Sequence, residues 1–229
     1  MKRILVAASV ALLVVTGAVR AADVPDVDTD NATVEVVAND HALRISGVIG
    51  QRFENDVRAA LDRNPDTQRL IVSGPGGMRA QALRVADLAN ARGIAVRVTG
   101  RCASACALMW AAATTREMTY DSGLGLHRSA LDPSLALPDL LRQKIMARND
   151  RQTDDVLRKA GFPERVIAAG ASTPASSMSW FSPYELKTGG VPFVLLDTSG
   201  QLASMDAKTG RLVHASASAA TTTGSHTTQ

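Results

Sequence analysis

Short apolar runs alternate with amphipathic stretches through the middle of this chain, and that alternation constrains its fold more than any other feature. The runs at 43–49, 70–72, 94–98 and 124–127 read as strands. Between them, 53–61 places Phe53, Val57, Ala60 and Leu61 at helical spacing. The stretch 79–91 does the same through Leu83, Ala86, Leu88 and Ala89 and stops at Gly93. A helix of small residues is expected over 105–113. Strands separated by helices are joined by crossovers rather than hairpins, so they lie parallel. The expected class is α/β with mostly parallel strands.

This unit is expected to span 41–198. Ahead of it, 22–40 is acidic and contains Pro, Asp and Asn, reading as a linker with a short strand at 33–37. Behind the 124–127 strand, 138–159 reads as a long polar-faced helix with Leu140, Leu141, Ile145, Val156 and Leu157 as its apolar points. Ser182-Pro183-Tyr184-Glu185 is a capping box with Pro at the first helical position, so a short helix starts there and ends at Gly189-Gly190. A last strand is expected at 191–196. From Ser199 onward Ser, Thr, Ala and Gly dominate, and 199–229 reads as a low-complexity, disordered tail.

The first 21 residues read as a signal peptide: Lys2 and Arg3, then an apolar run, then Val19-Arg20-Ala21 at the cleavage positions. The alternative is an uncleaved anchor. No second apolar run of membrane length follows, so no stable span is expected after cleavage, and a periplasmic or secreted location is. Of 25 basic residues, Lys2, Arg3 and Arg20 lie in that leader together with no acidic one, which leaves 22 basic against 22 acidic side chains. A formally neutral chain with 3% aromatic residues argues against a nucleic-acid partner. Two cysteines, Cys102 and Cys106, exclude a disulfide framework, and no second pair accompanies them at metal-ligand spacing, so no metal is expected. Two readings of the pair stay open. At i and i+4 of a helix they lie within disulfide reach, about 6 Å apart at Cα. Otherwise they are two small buried residues packing under a turn.

Three elements stand where strands end or helices begin: Ser73-Gly74-Pro75-Gly76-Gly77, Cys102-Ala103-Ser104-Ala105-Cys106 and Gly125-Leu126-His127. A hydroxyl nucleophile needs a sharp turn, small neighbours and a base within reach. Ser104 has the small neighbours, and His127 on a following strand is a candidate base. Gly-Gly after a strand turns backbone N–H groups toward an oxyanion, and a helix starting near Ser104 adds the positive end of its dipole. Each element has a plainer reading: a serine N-cap, a structural histidine, a simple turn. Lys144 reads as a solvated helix charge rather than a base, and Arg128 as a surface charge rather than a carboxylate binder.

In their joint order these elements resemble the Clp protease proteolytic subunit and its relatives in the crotonase-like superfamily, over about 43–196. The resemblance implies a Clp/crotonase-like spiral of ββα units, with Ser104 as nucleophile and His127 as base. It also implies an oxyanion hole from the N–H groups of Gly77 and Ala105, with Gly76 in a substrate-binding loop. No cofactor is implied. The implied substrate is a peptide or protein, and the implied assembly is a homo-oligomer with contacts on 138–159. An exported chain is not expected to work with an ATP-driven unfoldase. One position departs from the family pattern: Met178, before Ser179-Trp180-Phe181-Ser182, stands where an aspartate would orient the histidine. Ser176, Ser177 or a backbone carbonyl would have to replace it. Two other functions share such a fold, a non-catalytic binding or scaffold protein and an acyl-thioester enzyme of the crotonase type.

Overall fold

The computed structural model describes residues 31–131, 134–206 and 208–214; the leader expected at 1–21 and the tail from 215 lie outside the described residues. The chain is α/β, with helices alternating with the strands of a mixed, mostly parallel sheet. Strands β1 (Thr33–Val37), β2 (Ala42–Ile49), β3 (Arg69–Gly77), β4 (Ala95–Ala103), β5 (Arg116–Thr119) and β8 (Val194–Leu196) lie in the order β1-β2-β3-β4-β5-β8. From β2 to β8 every neighbour on this path is parallel, and β1 runs antiparallel to β2. Strand β6 (Gly123–Leu126) joins β4, and β7 (Ser179–Phe181) runs antiparallel to β6.

Helices α1 (Phe53–Arg63) and α2 (Arg79–Ala91) fall on the stretches that the apolar spacing predicts. The spacing works because Phe53, Val57, Ala60 and Leu61 form one stripe, and all four are buried. Helix α3 (Ala105–Ala112) is buried over seven consecutive residues from Ala105 to Ala111. Its Trp110 is wholly buried, edge-on to Phe162 and Phe193, with the indole N–H donating to the Glu117 carbonyl at 2.8 Å. That satisfies the one polar atom of the largest core side chain, so Trp110 is a core residue.

Helix α4 (Asp139–Lys159) matches the long polar-faced stretch, with Leu157 as its buried residue. It packs against α3 and against α5 (Glu164–Ser172). Helix α6 (Pro183–Thr188) carries the expected capping box: the Ser182 hydroxyl accepts from the Glu185 N–H, and the Glu185 carboxylate accepts from the Ser182 N–H.

Three departures from the sequence reading have physical causes. Strand β3 runs on through Ser73-Gly74-Pro75-Gly76-Gly77, because Gly76 and Gly77 pair with Val48 and Ile49 of β2. Strand β4 likewise continues to Ala103, changing partner on the way: Val96–Val98 pair with β5, and Arg101–Ala103 pair with β6. Gly100, at φ 64°, sits at the changeover, where a left-handed residue lets the strand bend. The third concerns the tail expected from Ser199. Strands β9 (Ala203–Met205) and β10 (Leu212–His214) form an antiparallel hairpin there, with Ala203, Met205 and Leu212 packed against the core. Composition had hidden those few apolar side chains. Helix α5, β5 and β7 are also additions to the sequence reading.

Candidate active site

Strand pairing decides where Ser104 and His127 meet. Ala103 on β4 is in register with Gly125 on β6, and the Ser104 N–H donates to the Gly125 carbonyl at 2.8 Å. Ser104 and His127 therefore leave the ends of two adjacent parallel strands within two residues of the same rung, where neighbouring strands lie about 5 Å apart. They line one cavity of about 580 Å³ together with Gly77 and Ala105.

Ser104 occupies φ 54°, ψ −122°, a conformation that costs a non-glycine residue about 1–3 kcal/mol and persists only where the surroundings impose it. Three constraints impose it. The N–H is held by Gly125, its carbonyl accepts from Leu108 N–H as the first α3 bond, and a disulfide joins Cys102 to Cys106 across the turn. Of the two readings of the cysteine pair, the disulfide is the one found. It spans the end of β4 and the first turn of α3, with the Cα atoms 5.3 Å apart, rather than two positions of one helix. The Ser104 hydroxyl makes no capping hydrogen bond to α3, which removes the plainer explanation of a serine at this position.

At the start of α3 the N–H groups of Ala105, Cys106 and Ala107 precede the first intrahelical donor, Leu108. Gly76 keeps the space in front of them open. A Cβ there would stand 2.8 Å from the Ala105 nitrogen, 2.7 Å from the Ser104 Cβ and 2.6 Å from the Ala103 carbonyl oxygen. Gly76 is itself buried, and its backbone packs against the Ser104 turn. Gly77 does line the cavity, at φ 137°, and a side chain there would run into the Ile49 carbonyl at 2.4 Å.

His127 is half-buried, and its Nδ1 is enclosed without a hydrogen-bond partner among the described residues. Burial holds the imidazole below its ordinary value of 6.5, while the nearby Asp150 carboxylate pulls it up. The neutral ring that results at neutral pH is the form a general base requires. Met178 packs against Gly125, its Cγ and Sδ 2.8 Å from where a Cβ would be. Ser176 and Ser177 are exposed, and neither lines the cavities beside His127.

The remaining walls are apolar on one side and polar on the other. Leu108, Leu126, Leu131 and Leu135 face Arg79, Asn149 and Thr153. Arg79 opens α2 and donates to Asn149 Oδ1 at 2.9 Å and Gln152 Oε1 at 2.7 Å, which ties α4 to the cavity rim. Asp150 accepts from the Ser129 N–H at 2.7 Å and stands 3.8 Å from the exposed Arg128 guanidinium. Lys144 is exposed.

Sequence reasoning missed Asp150. Its signal was the row Asp150, Thr153, Asp154 and Leu157, which at i, i+3, i+4 and i+7 shares one helix face with the buried Leu157. No protein-family model and no curated protein matches this chain.

Proposed function

We propose that this chain is an exported serine hydrolase acting by acyl transfer, with peptides or proteins as substrates. The observation that carries the reading is the Ser104 turn, a non-glycine residue at positive φ whose hydroxyl caps nothing and faces a cavity shared with His127. In the first step Ser104 Oγ bonds to the substrate carbonyl carbon while its proton passes to His127. The N–H groups of Gly77 and Ala105, with the α3 dipole behind the second, receive the oxyanion. Collapse breaks the bond to the leaving amine or alcohol, which takes the proton from His127. Water then repeats the sequence: His127 accepts its proton, the hydroxyl joins the acyl carbon, and Ser104 leaves with the proton returned.

The Cys102–Cys106 disulfide supports the export reading, since such bonds persist in oxidising compartments. The likeness to the Clp subunit supports the peptidase class and a homo-oligomer, and the exposed Leu140 and Leu141 on α4 offer apolar surface for the subunit contact. One observation favours the second reading, a binding protein with an idle site: no side chain among the described residues hydrogen-bonds His127 Nδ1.

Fluorophosphonate labelling of the purified full chain, with the adduct located by mass spectrometry, separates the two. Labelling at Ser104 that is lost in Ser104→Ala and falls by at least 100-fold in His127→Ala supports the hydrolase, since base catalysis contributes about 10²–10⁴. No labelling under either oxidising or reducing conditions puts the binding protein in its place.

A further inference from the structure

His127 lines two neighbouring cavities. It shares the large one with Ser104. The second, of about 10 Å³, is lined by His127, Asp150, Thr153, Asp154, Leu157 and Ile167 among others. That volume is the size of one water molecule, and the polar groups around it are enough to bind one. The buried Nδ1 has no hydrogen-bond partner among the described residues. A polar atom enclosed in this way costs about 1–3 kcal/mol unless a group across the gap answers it.

We propose that Asp150 is the positioning residue for His127, standing in from α4 for the acid that the sequence lacks at Met178. The inference rests on the hydrolase reading for its purpose and on the geometry for its substance. Asp150 acts at two points. Its Oδ1 takes the Ser129 N–H at 2.7 Å and so fixes the segment that carries His127 out of β6. Its negative charge favours the imidazole with a proton on Nδ1, relayed through one water in the small cavity, and leaves Nε2 free to accept from Ser104. The Nδ1 proton stays on the ring throughout. Only the Ser104 proton moves.

Among the described residues, the charged groups around the ring come from α4, α2 and the strand exit. From α4 come Asp150 and Asp154, and from the strand exit Arg128. From α2 comes Arg79, which interacts with Asp150 and Arg148. Helix α5 contributes Ile167, Gly170 and Ala171, none of them charged. Asp154 is pushed up by burial, opposed by Arg158, and its proximity to Asp150 raises it further. Asp150 is the carboxylate whose charge pulls the His127 ring up. The Arg128 contact does not absorb Asp150, because it is 3.8 Å long and the Arg128 side chain is 59% exposed.

The test uses the full chain with isotope-labelled histidine. Long-range ¹H–¹⁵N spectra report both the tautomer and the titration of His127, which is assigned by its loss in His127→Gln. Asp150→Asn is expected to lower the His127 pKa by about 0.5 unit or more, since the charge that draws it up is removed. It should also reduce the Nδ1-protonated fraction and slow Ser104 labelling by about tenfold or more. Asp150→Glu should restore part of each, and Asp154→Asn should move the pKa less. An unmoved pKa in folded Asp150→Asn, or a larger shift in Asp154→Asn, overturns the proposal whatever the labelling does. If Asp150→Asn fails to fold, the Asp150→Glu and Asp154→Asn titrations still decide between the two carboxylates. Should the wild-type chain take no label while the His127 titration follows Asp150 as described, the hydrolase reading fails and the placement of Asp150 stands.

Discussion

Helices α3 and α4 build opposite sides of the same cavity by opposite means. Seven of the eight α3 residues are buried, whereas only Leu157 is buried among the 21 residues of α4. The serine side is thus held by apolar packing, strand pairing and a disulfide, all close to the centre of the molecule. The histidine side is held by polar contacts made by an exposed helix: Arg79 to Asn149 and Gln152, and Ser129 to Asp150. Packing forces are insensitive to pH and salt, while charged and polar contacts near the surface are not. The nucleophile is therefore expected to be fixed by the fold, and its activation to be adjustable.

The largest test of this contrast lies on the α3 side. Trp110→Ala removes the largest core side chain together with its hydrogen bond to the Glu117 carbonyl, and is expected to cost about 3–5 kcal/mol in chemical denaturation. Gly76→Ala should be nearly as severe, since its Cβ meets three atoms of the Ser104 turn at 2.6–2.8 Å and its φ is 98°. Gly93→Ala is the control. It too has a positive φ, 66°, but nothing lies within 4 Å, so only a backbone cost of about 1 kcal/mol is expected. Equal losses in the two glycine variants would mean that backbone strain, not the packing of the turn, sets the cost.

Reduction of the Cys102–Cys106 bond comes next. Chain entropy for so short a loop gives about 2 kcal/mol. Because the bond brackets Ser104, reduction should also slow fluorophosphonate labelling. A stability loss with an unchanged labelling rate would show that pairing to β6 suffices to hold the turn.

On the α4 side the expected effect is on pH dependence. The folded protein holds His127 below 6.5, so between that value and 6.5 the unfolded chain binds more protons. This contribution to stability is complete above pH 6.5 and is lost as pH falls through the folded value. The acid limb of the labelling profile should accordingly lie below pH 6.5, and a limb at or above 6.5 would mean that burial does not govern the imidazole. The smallest effect is assigned to Leu140→Ala: with the side chain 64% exposed, the monomer should change by no more than about 0.5 kcal/mol. A larger, concentration-dependent loss would instead show that this face is covered in an oligomer, a result read directly by sedimentation.

How much of this was legible beforehand differs between the two sides in the same way. The α1 and α2 segments were readable because their apolar spacing records burial, and α3 because its unbroken run of small and apolar residues does. The capping box at Ser182 was readable because it is local. Helix α5 escaped notice, although Pro163 and Glu164 open it and Val166 and Ile167 mark its buried side. Those few apolar residues among alanines are too weak a pattern over nine positions. Asp150 escaped because a charged residue on a polar helix looks the same whether it faces solvent or a histidine.

By itself the sequence determined the α/β class, the crossover spacing that makes the strands parallel, and the local chemistry of the Ser104 and His127 segments. These follow from hydrophobic period, glycine placement and capping, each of which acts over a few neighbours. Only the tertiary structure decided that β4 changes partner at Gly100 to pair with β6, which sets Ser104 beside the strand leading to His127. It alone also set Met178 against Gly125 and brought Asp150 and His127 to the lining of one small cavity. Those outcomes depend on the register between strands and on how an exposed helix is docked. Both are fixed by contacts between residues far apart in the chain, which leave no period in the sequence to read.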